Sequence, residues 1–142
     1  MEVSHVRRRL LTTITEARRR ARERVQVVAD AERAYVRFLH EVATPLAHQL
    51  AGVLKAEGYP CTVFTPGRSL RLALDKSRDD FVELSLDTDS DPPRVVAHVR
   101  RTRGSRTIDD ERPVRPDVAL DAIGEDDVLD VLLHTVEEWV GA

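Results

Sequence analysis

A histidine set between two carboxylates is the arrangement in this chain best suited to chemistry. Three runs alternate apolar and polar residues with the two-residue period of half-buried strands. Leu70, Leu72 and Leu74 alternate with Ser69, Arg71 and Ala73; Val82, Leu84 and Leu86 with Phe81, Glu83 and Ser85; Val95, Ala97 and Val99 with Val96, His98 and Arg100. Pairing Val82 with Val99, and Val99 with Ile108 across a turn at Arg103-Gly104, brings Glu83, His98 and Asp109 side by side on the polar face. Arg71 then lies diagonal to Glu83. A histidine so placed could work as a general base, which makes Arg71, Glu83, His98 and Asp109 candidate ligand-binding residues. The preferred reading is plainer: cross-strand charge pairs on a wet sheet face are ordinary stabilising contacts.

Other reactive groups lack partners at useful spacing. His5, His40, His48, His98 and His134 are scattered, and His40 and His48 fall about 80° out of line on a helix. The run Asp87-Thr88-Asp89-Ser90-Asp91 copies the opening of a calcium loop, but Pro92 stands where the turn glycine belongs and His98 where the bidentate Glu belongs. Cys61 sits alone on an apolar segment and reads as a buried small side chain rather than a nucleophile, with no disulfide or cysteine-based zinc site open to it. There is no Walker loop, GxGxxG, GxSxG or HExxH motif, so neither catalytic residue, metal nor cofactor is assigned.

Charge is unevenly spread. Of 22 basic residues all but Lys55 and Lys76 are arginine, a bias that a GC-rich genome explains. Residues 1 to 24 hold eight Arg against three acids, a net of +5, whereas residues 107 to 142 hold two Arg against eleven acids, a net of −9. The clusters at Arg7, Arg8, Arg9 and Arg18, Arg19, Arg20 could neutralise nucleic-acid phosphates. Interleaved Glu16 and Glu23 and the overall charge of −3 favour a solvated helix face instead.

The elements that must position these residues follow from periodicity. Apolar residues recur at Leu10, Ile14, Ala17, Ala21, Val25, Val28, Ala31, Tyr35, Leu39 and Val42, spacings of three and four that predict one long helix. Thr44-Pro45 has the signature of a cap followed by N1 proline, so a second helix is expected from there to Gly58. Five strands follow: Cys61 to Thr65, the three alternating runs, and a last one near Arg106 to Asp110. Pro66-Gly67 supplies a type II turn, and the brief connections favour an antiparallel meander. Glu111 to Gly124 reads as a connector, its PxxP spacing included. A final helix carries Val128, Leu129, Leu132, Leu133, Val136, Trp139 and Val140 as a wide stripe, with Glu125, Asp126 and Asp127 at its positive end. The class is α+β. One domain spans residues 1 to 142: a projecting helical segment over 1 to 43, and a core over 44 to 142 whose sheet is covered by the second and last helices.

Arg7-Arg8-Arg9-Leu10-Leu11 is followed by no apolar stretch, so it is not read as an export signal, and no run approaches a membrane span. Cytoplasmic residence is the expectation. Glu57-Gly58-Tyr59-Pro60 running into Val63-Phe64-Thr65-Pro66-Gly67, and Gly124-Glu125-Asp126-Asp127-Val128-Leu129, resemble stretches of uncharacterised small α+β proteins of actinobacteria. The shared motifs are a helix stop, a turn and a helix start; the resemblance implies a fold and carries over no functional residue.

These observations favour a non-enzymatic interaction protein, adaptor or chaperone-like, that pairs with a second copy of itself. The interface residues are Leu10, Ile14, Ala17, Ala21, Val25 and Val28. A helix over residues 3 to 43 is about 60 Å long, against roughly 35 to 40 Å for a compact domain of this size. Breakage near Asp30 into an internal hairpin is the alternative that would leave a monomer. Ligand binding or catalysis on the polar sheet face, and nucleic-acid binding by the N-terminal arginines, are the rival functions.

Overall fold

The three-and-four spacing of apolar residues produces a helix that does not stop where Thr44-Pro45 signals a stop. The computed structural model, which describes residues 1–141, has α1 (Val3–Phe38), a π-helical turn (Leu39–Ala43) and α2 (Thr44–Ala56) in direct succession. Phe38, Ala43 and Thr44 all keep right-handed helical dihedrals, and no side chain caps the junction. Proline at position 45 lacks an N–H, and its ring crowds the carbonyl four residues back. Widening the preceding turn relieves that conflict: the Thr44 N–H bonds to the Leu39 carbonyl, five residues earlier. The expected cap is therefore a π-bulge, and the helix is unbroken at Asp30 as well, which removes the hairpin alternative. Segments of 36, 5 and 13 residues make a rod of about 80 Å. It ends at Gly58 (φ 93°), where the Tyr59 N–H reaches the Leu54 carbonyl and the Gly58 N–H the Lys55 carbonyl, a Schellman stop.

The sheet is a five-stranded antiparallel meander in the order β1 (Cys61–Phe64), β2 (Leu70–Leu74), β3 (Ser77–Asp87), β4 (Arg94–Arg103) and β5 (Arg106–Pro113). Gly67 takes φ 60° in the first turn, but the Ser69 N–H closes that turn on the Pro66 carbonyl, which makes Gly67 its first central residue and not the second, as the expected type II turn requires. Val82 faces Val99 as expected, but Val99 faces Asp110 and Ile108 faces Arg101. Gly104, at φ 64°, is the first central residue of a two-residue hairpin closed by Arg103 and Arg106. A glycine there with a negative-φ residue after it is the type II′ preference, and it moves the pairing by two residues from the expected frame. Two residues is one full period, so every side chain keeps its face. β5 also runs three residues past Asp110, and the connector begins at Val114, with a 3₁₀ turn (Leu120–Ala122) within it.

Leu70, Leu72, Leu74, Val82, Leu84, Val95, Ala97 and Val99 form the covered face. Over them lie Ala43, Ala47 and Leu54, the α3 (Glu125–Gly141) residues Val128, Leu132 and Trp139, and also Tyr35 and Phe38 of α1. The second half of α1 is thus part of the core, and the projecting segment is shorter than residues 1 to 43. The stripe on α3 is narrower than its sequence suggests: Leu133 and Val140 are exposed, and Thr135 is buried among the apolar residues.

Asp80, at the edge of this core, accepts hydrogen bonds from the Thr102 N–H (2.9 Å) and hydroxyl (2.7 Å). Burial alone would raise its pKa, but the bonds from Ser77 and Thr102 and the charge of Lys76 together hold it below the ordinary carboxylate value. The folded state then binds fewer protons than the unfolded one near pH 4, so this contribution is present above that pH and is lost as pH falls through the lower folded pKa. Asp80→Ala is expected to cost about 1–3 kcal/mol in urea unfolding at pH 7 by leaving Thr102 unpaired. The gap between wild type and Asp80→Asn should narrow progressively as pH falls from about 5 through the lowered folded pKa; a gap that does not change on acidification below about pH 4 refutes the assignment.

Candidate functional site

The polar sheet face is built around an aromatic ring that the alternation placed among charged residues. Phe81 is only 3% exposed although it lies outside the core cluster that the helices cover. The Arg71 guanidinium lies 4.0 Å above the ring centroid, that of Arg100 at 5.5 Å, and the His98 ring meets it edge-on at 5.4 Å. Carboxylates hold these covering groups in place. Glu83 is directly opposite Arg71, not diagonal to it, and accepts from Arg71 Nε and Ser69 Oγ, both at 3.1 Å. Asp109 is opposite Arg100 rather than His98, which faces Glu83 on one side and Glu111 on the other. Asp109 Oδ1 nonetheless lies 2.9 Å from Arg100 Nε and, on the diagonal, 2.7 Å from His98 Nε2. The Arg100 bond first, and the His98 bond second, hold the Asp109 carboxyl below its usual range.

The four predicted residues therefore share one face, in two clusters joined by Phe81. Arg71 and Glu83 form one, His98 and Asp109 with Arg100 the other. What they make is a polar lid on a ring, with Arg71 paired to Glu83, Arg100 to Asp109, and His98 hydrogen-bonded to Asp109. Sequence reasoning missed Phe81 and Arg100; the available signal was an aromatic at a polar position of the alternation, with Arg71 and Arg100 in reach on the flanking strands.

The first half of α1 is the other candidate. Arg24 is the first residue to meet the body, its guanidinium donating to the carbonyls of Thr88 (2.5 Å) and Ser90 (3.1 Å) and approaching Asp91. Residues 3–23 project beyond that point, about 31 Å of helix. Leu10, Ile14, Ala17, Ala21, Val25 and Val28 lie within about 80° of arc. Of these Leu10 is 56% exposed and Val25 71%, while Ile14 and Val28 are half-buried. Leu11 and Val36, not assigned from the sequence, are 53% and 59% exposed. Arg19 pairs with Glu16 and Glu23, whereas Arg7, Arg8, Arg9, Arg18 and Arg20 are exposed and make no ion pair among the described residues.

Beside the second half of α1 lies an open concavity of about 1060 Å³, lined by Ala29, Glu32, Val36, Leu39 and His40 and bounded across the gap by Arg68. None of Arg71, Glu83, His98 and Asp109 lines it. The acidic run after β3 is a local turn: Asp87 Oδ1 accepts the Asp89 N–H, and Arg24 occupies the neighbouring carbonyls. Cys61 is half-buried, its thiol pushed up by burial and then by the charge of Asp75. Among the described residues no group of three or more His, Cys, Asp or Glu side chains is placed to hold a metal ion, and no helix is long and apolar enough to cross a membrane. No protein-family model, no curated protein and no solved structure matches this chain.

Proposed function

We propose that this protein is a non-enzymatic interaction module, adaptor or chaperone-like, that forms a homodimer through its N-terminal helix. The observation that carries the reading is the 31 Å of α1 before Arg24, which keeps an apolar side and, among the described residues, makes side-chain hydrogen bonds and ion pairs only within its own helix and to the adjoining Glu2. A single helix in water gains little from propensity alone, because most helical stability in proteins comes from burying one face. Each Leu, Ile or Val left in solvent forgoes about 1.5–3 kcal/mol of burial. Pairing two copies buries those residues, and a twofold arrangement is the simplest closed solution. The neutralised sheet face agrees with this role, since Arg71, His98 and Arg100 are already engaged by Glu83 and Asp109.

Light scattering of the full-length chain tests it. The expected mass at micromolar concentration is twice the 16.0 kDa of the monomer. A monomeric mass there refutes the proposal.

A further inference from the structure

We infer that the projecting half of α1 in one copy seats against the second half of α1 in the other, antiparallel, along the flank that borders the Arg68 concavity. This rests on the self-association reading and specifies where the interface lies. Three observations on the same rod select it.

The first is a face shared by both halves. Val3, Leu10, Ile14, Ala21, Val25, Ala29 and Val36 recur at intervals of four and seven residues, so they lie on one side of α1. Own-chain packing takes the neighbouring side through Tyr35 and Phe38 and leaves Val25 and Val36 in solvent. Aligning two such helices about an axis near residue 23 puts Ala21 beside Val25, Ala17 beside Ala29, and Leu10 beside Val36. The concavity next to Val36 and Leu39 gives the incoming helix room.

The second is charge. Residues 1 to 24 carry a net of +5, and residues 25 to 43 hold three acids against two arginines, a net of −1. Tip-to-tip pairing sets +5 against +5. The staggered antiparallel pair instead sets each basic tip against a half of net −1, whose Glu32 lies on the shared face while Asp30 and Glu41 lie on the far side of α1, and so relieves the tip-to-tip repulsion.

The third is area. With a helix about 10 Å wide, projecting halves paired alone give a footprint of roughly 310 Å² per copy, well short of the ~800 Å² per partner typical of stable interfaces. Overlap over residues 3 to 43 gives about 600 Å² before side-chain relief is counted, which brings the contact into the usual range.

The double variant Leu10→Cys/Val36→Cys, made in a Cys61→Ser background, tests the seat. The two positions are about 39 Å apart along one helix, so no bond can form within a chain. Mild oxidation is expected to give a covalent dimer, with Leu10→Cys or Val36→Cys alone staying uncross-linked. Cross-linking by Leu10→Cys alone indicates tip-to-tip pairing and overturns the inference, as does a dimeric mass with no cross-link from the double variant. Val36→Asp is expected to weaken dimerisation by at least about tenfold with unchanged circular dichroism at high concentration. If Leu10→Asp abolishes the dimer while Val36→Asp leaves its dissociation constant intact, self-association stands and the seat is wrong. A monomeric full-length chain removes both.

Discussion

Leu10→Asp/Ile14→Asp is expected to convert the dimer wholly to monomer at micromolar concentration and to melt much of the helix before Arg24. Two side chains are lost per copy, four per dimer, at about 1.5–3 kcal/mol of burial each. A micromolar dimer is held by roughly 8 kcal/mol and a nanomolar one by roughly 12, so the loss consumes most of the binding free energy before any carboxylate is desolvated. The freed segment is some 21 residues long, and without a buried face it loses the packing that supplies most of a helix's stability. Helix content should therefore fall along with mass, whereas the sheet, whose core contains neither residue, should keep its urea midpoint after correction for dimer linkage. Sedimentation and far-ultraviolet circular dichroism read the two effects separately. A variant that sediments as a dimer overturns the proposed interface.

How far the sequence determined these features depends on whether local period or a specific atom decides them. The meander was legible because Leu72, Leu84 and Ala97 stand at alternate positions, and alternation survives any shift of register by two. Its last pairing was not, because the choice between placing Arg103-Gly104 or Gly104-Ser105 at the hairpin centre rests on a single φ. The long helix was legible from its three-and-four spacing; its passage through Pro45 was not, since the same Thr-Pro pair serves as a cap in one backbone and as the exit of a π-bulge in another. Half of the candidate sheet site followed from the pattern that aligned Glu83 with His98. The rest depended on Phe81, whose burial beneath Arg71 and Arg100 is a tertiary stacking effect with no periodic signature. The extent of the projecting segment was likewise hidden, because one stripe serves two partners: Val28 to Val42 face the chain's own sheet, and Leu10 to Ala21 continue the same line into solvent.

Tyr35 stands where those two uses of the stripe meet, and Tyr35→Ala is expected to give the largest loss of stability among single changes in α1. Its ring is 2% exposed and lies 6.3 Å from that of Phe38. Its hydroxyl donates to the Arg68 carbonyl at 2.7 Å, with the Leu84 carbonyl at 3.3 Å, so one side chain ties the helix to the β1–β2 turn and to β3. Removing a buried aromatic costs about 3–5 kcal/mol, a large share of the 5–15 kcal/mol that holds a domain together. That corresponds to a fall in Tm of roughly 10–20 °C for a chain of this size. Tyr35→Phe keeps the ring and loses the bond, for about 0.5–1.5 kcal/mol. Burial first, and the charge of Glu83 second, push the phenol well above its ordinary pKa. A raised folded pKa means that this contribution is fully present below the unfolded value near 10 and is lost only as pH rises through the folded one, so the Tyr35-to-Phe difference should stay flat from pH 5 to 9. Because dimerisation adds a concentration-dependent term to any melt, the comparison belongs in the Leu10→Asp/Ile14→Asp background, where the chain is expected to be monomeric. There, a cost for Tyr35→Ala below about 1 kcal/mol would mean that the rod is held to the sheet by other contacts, and that Tyr35 is not the clamp that fixes the direction in which the N-terminal helix projects.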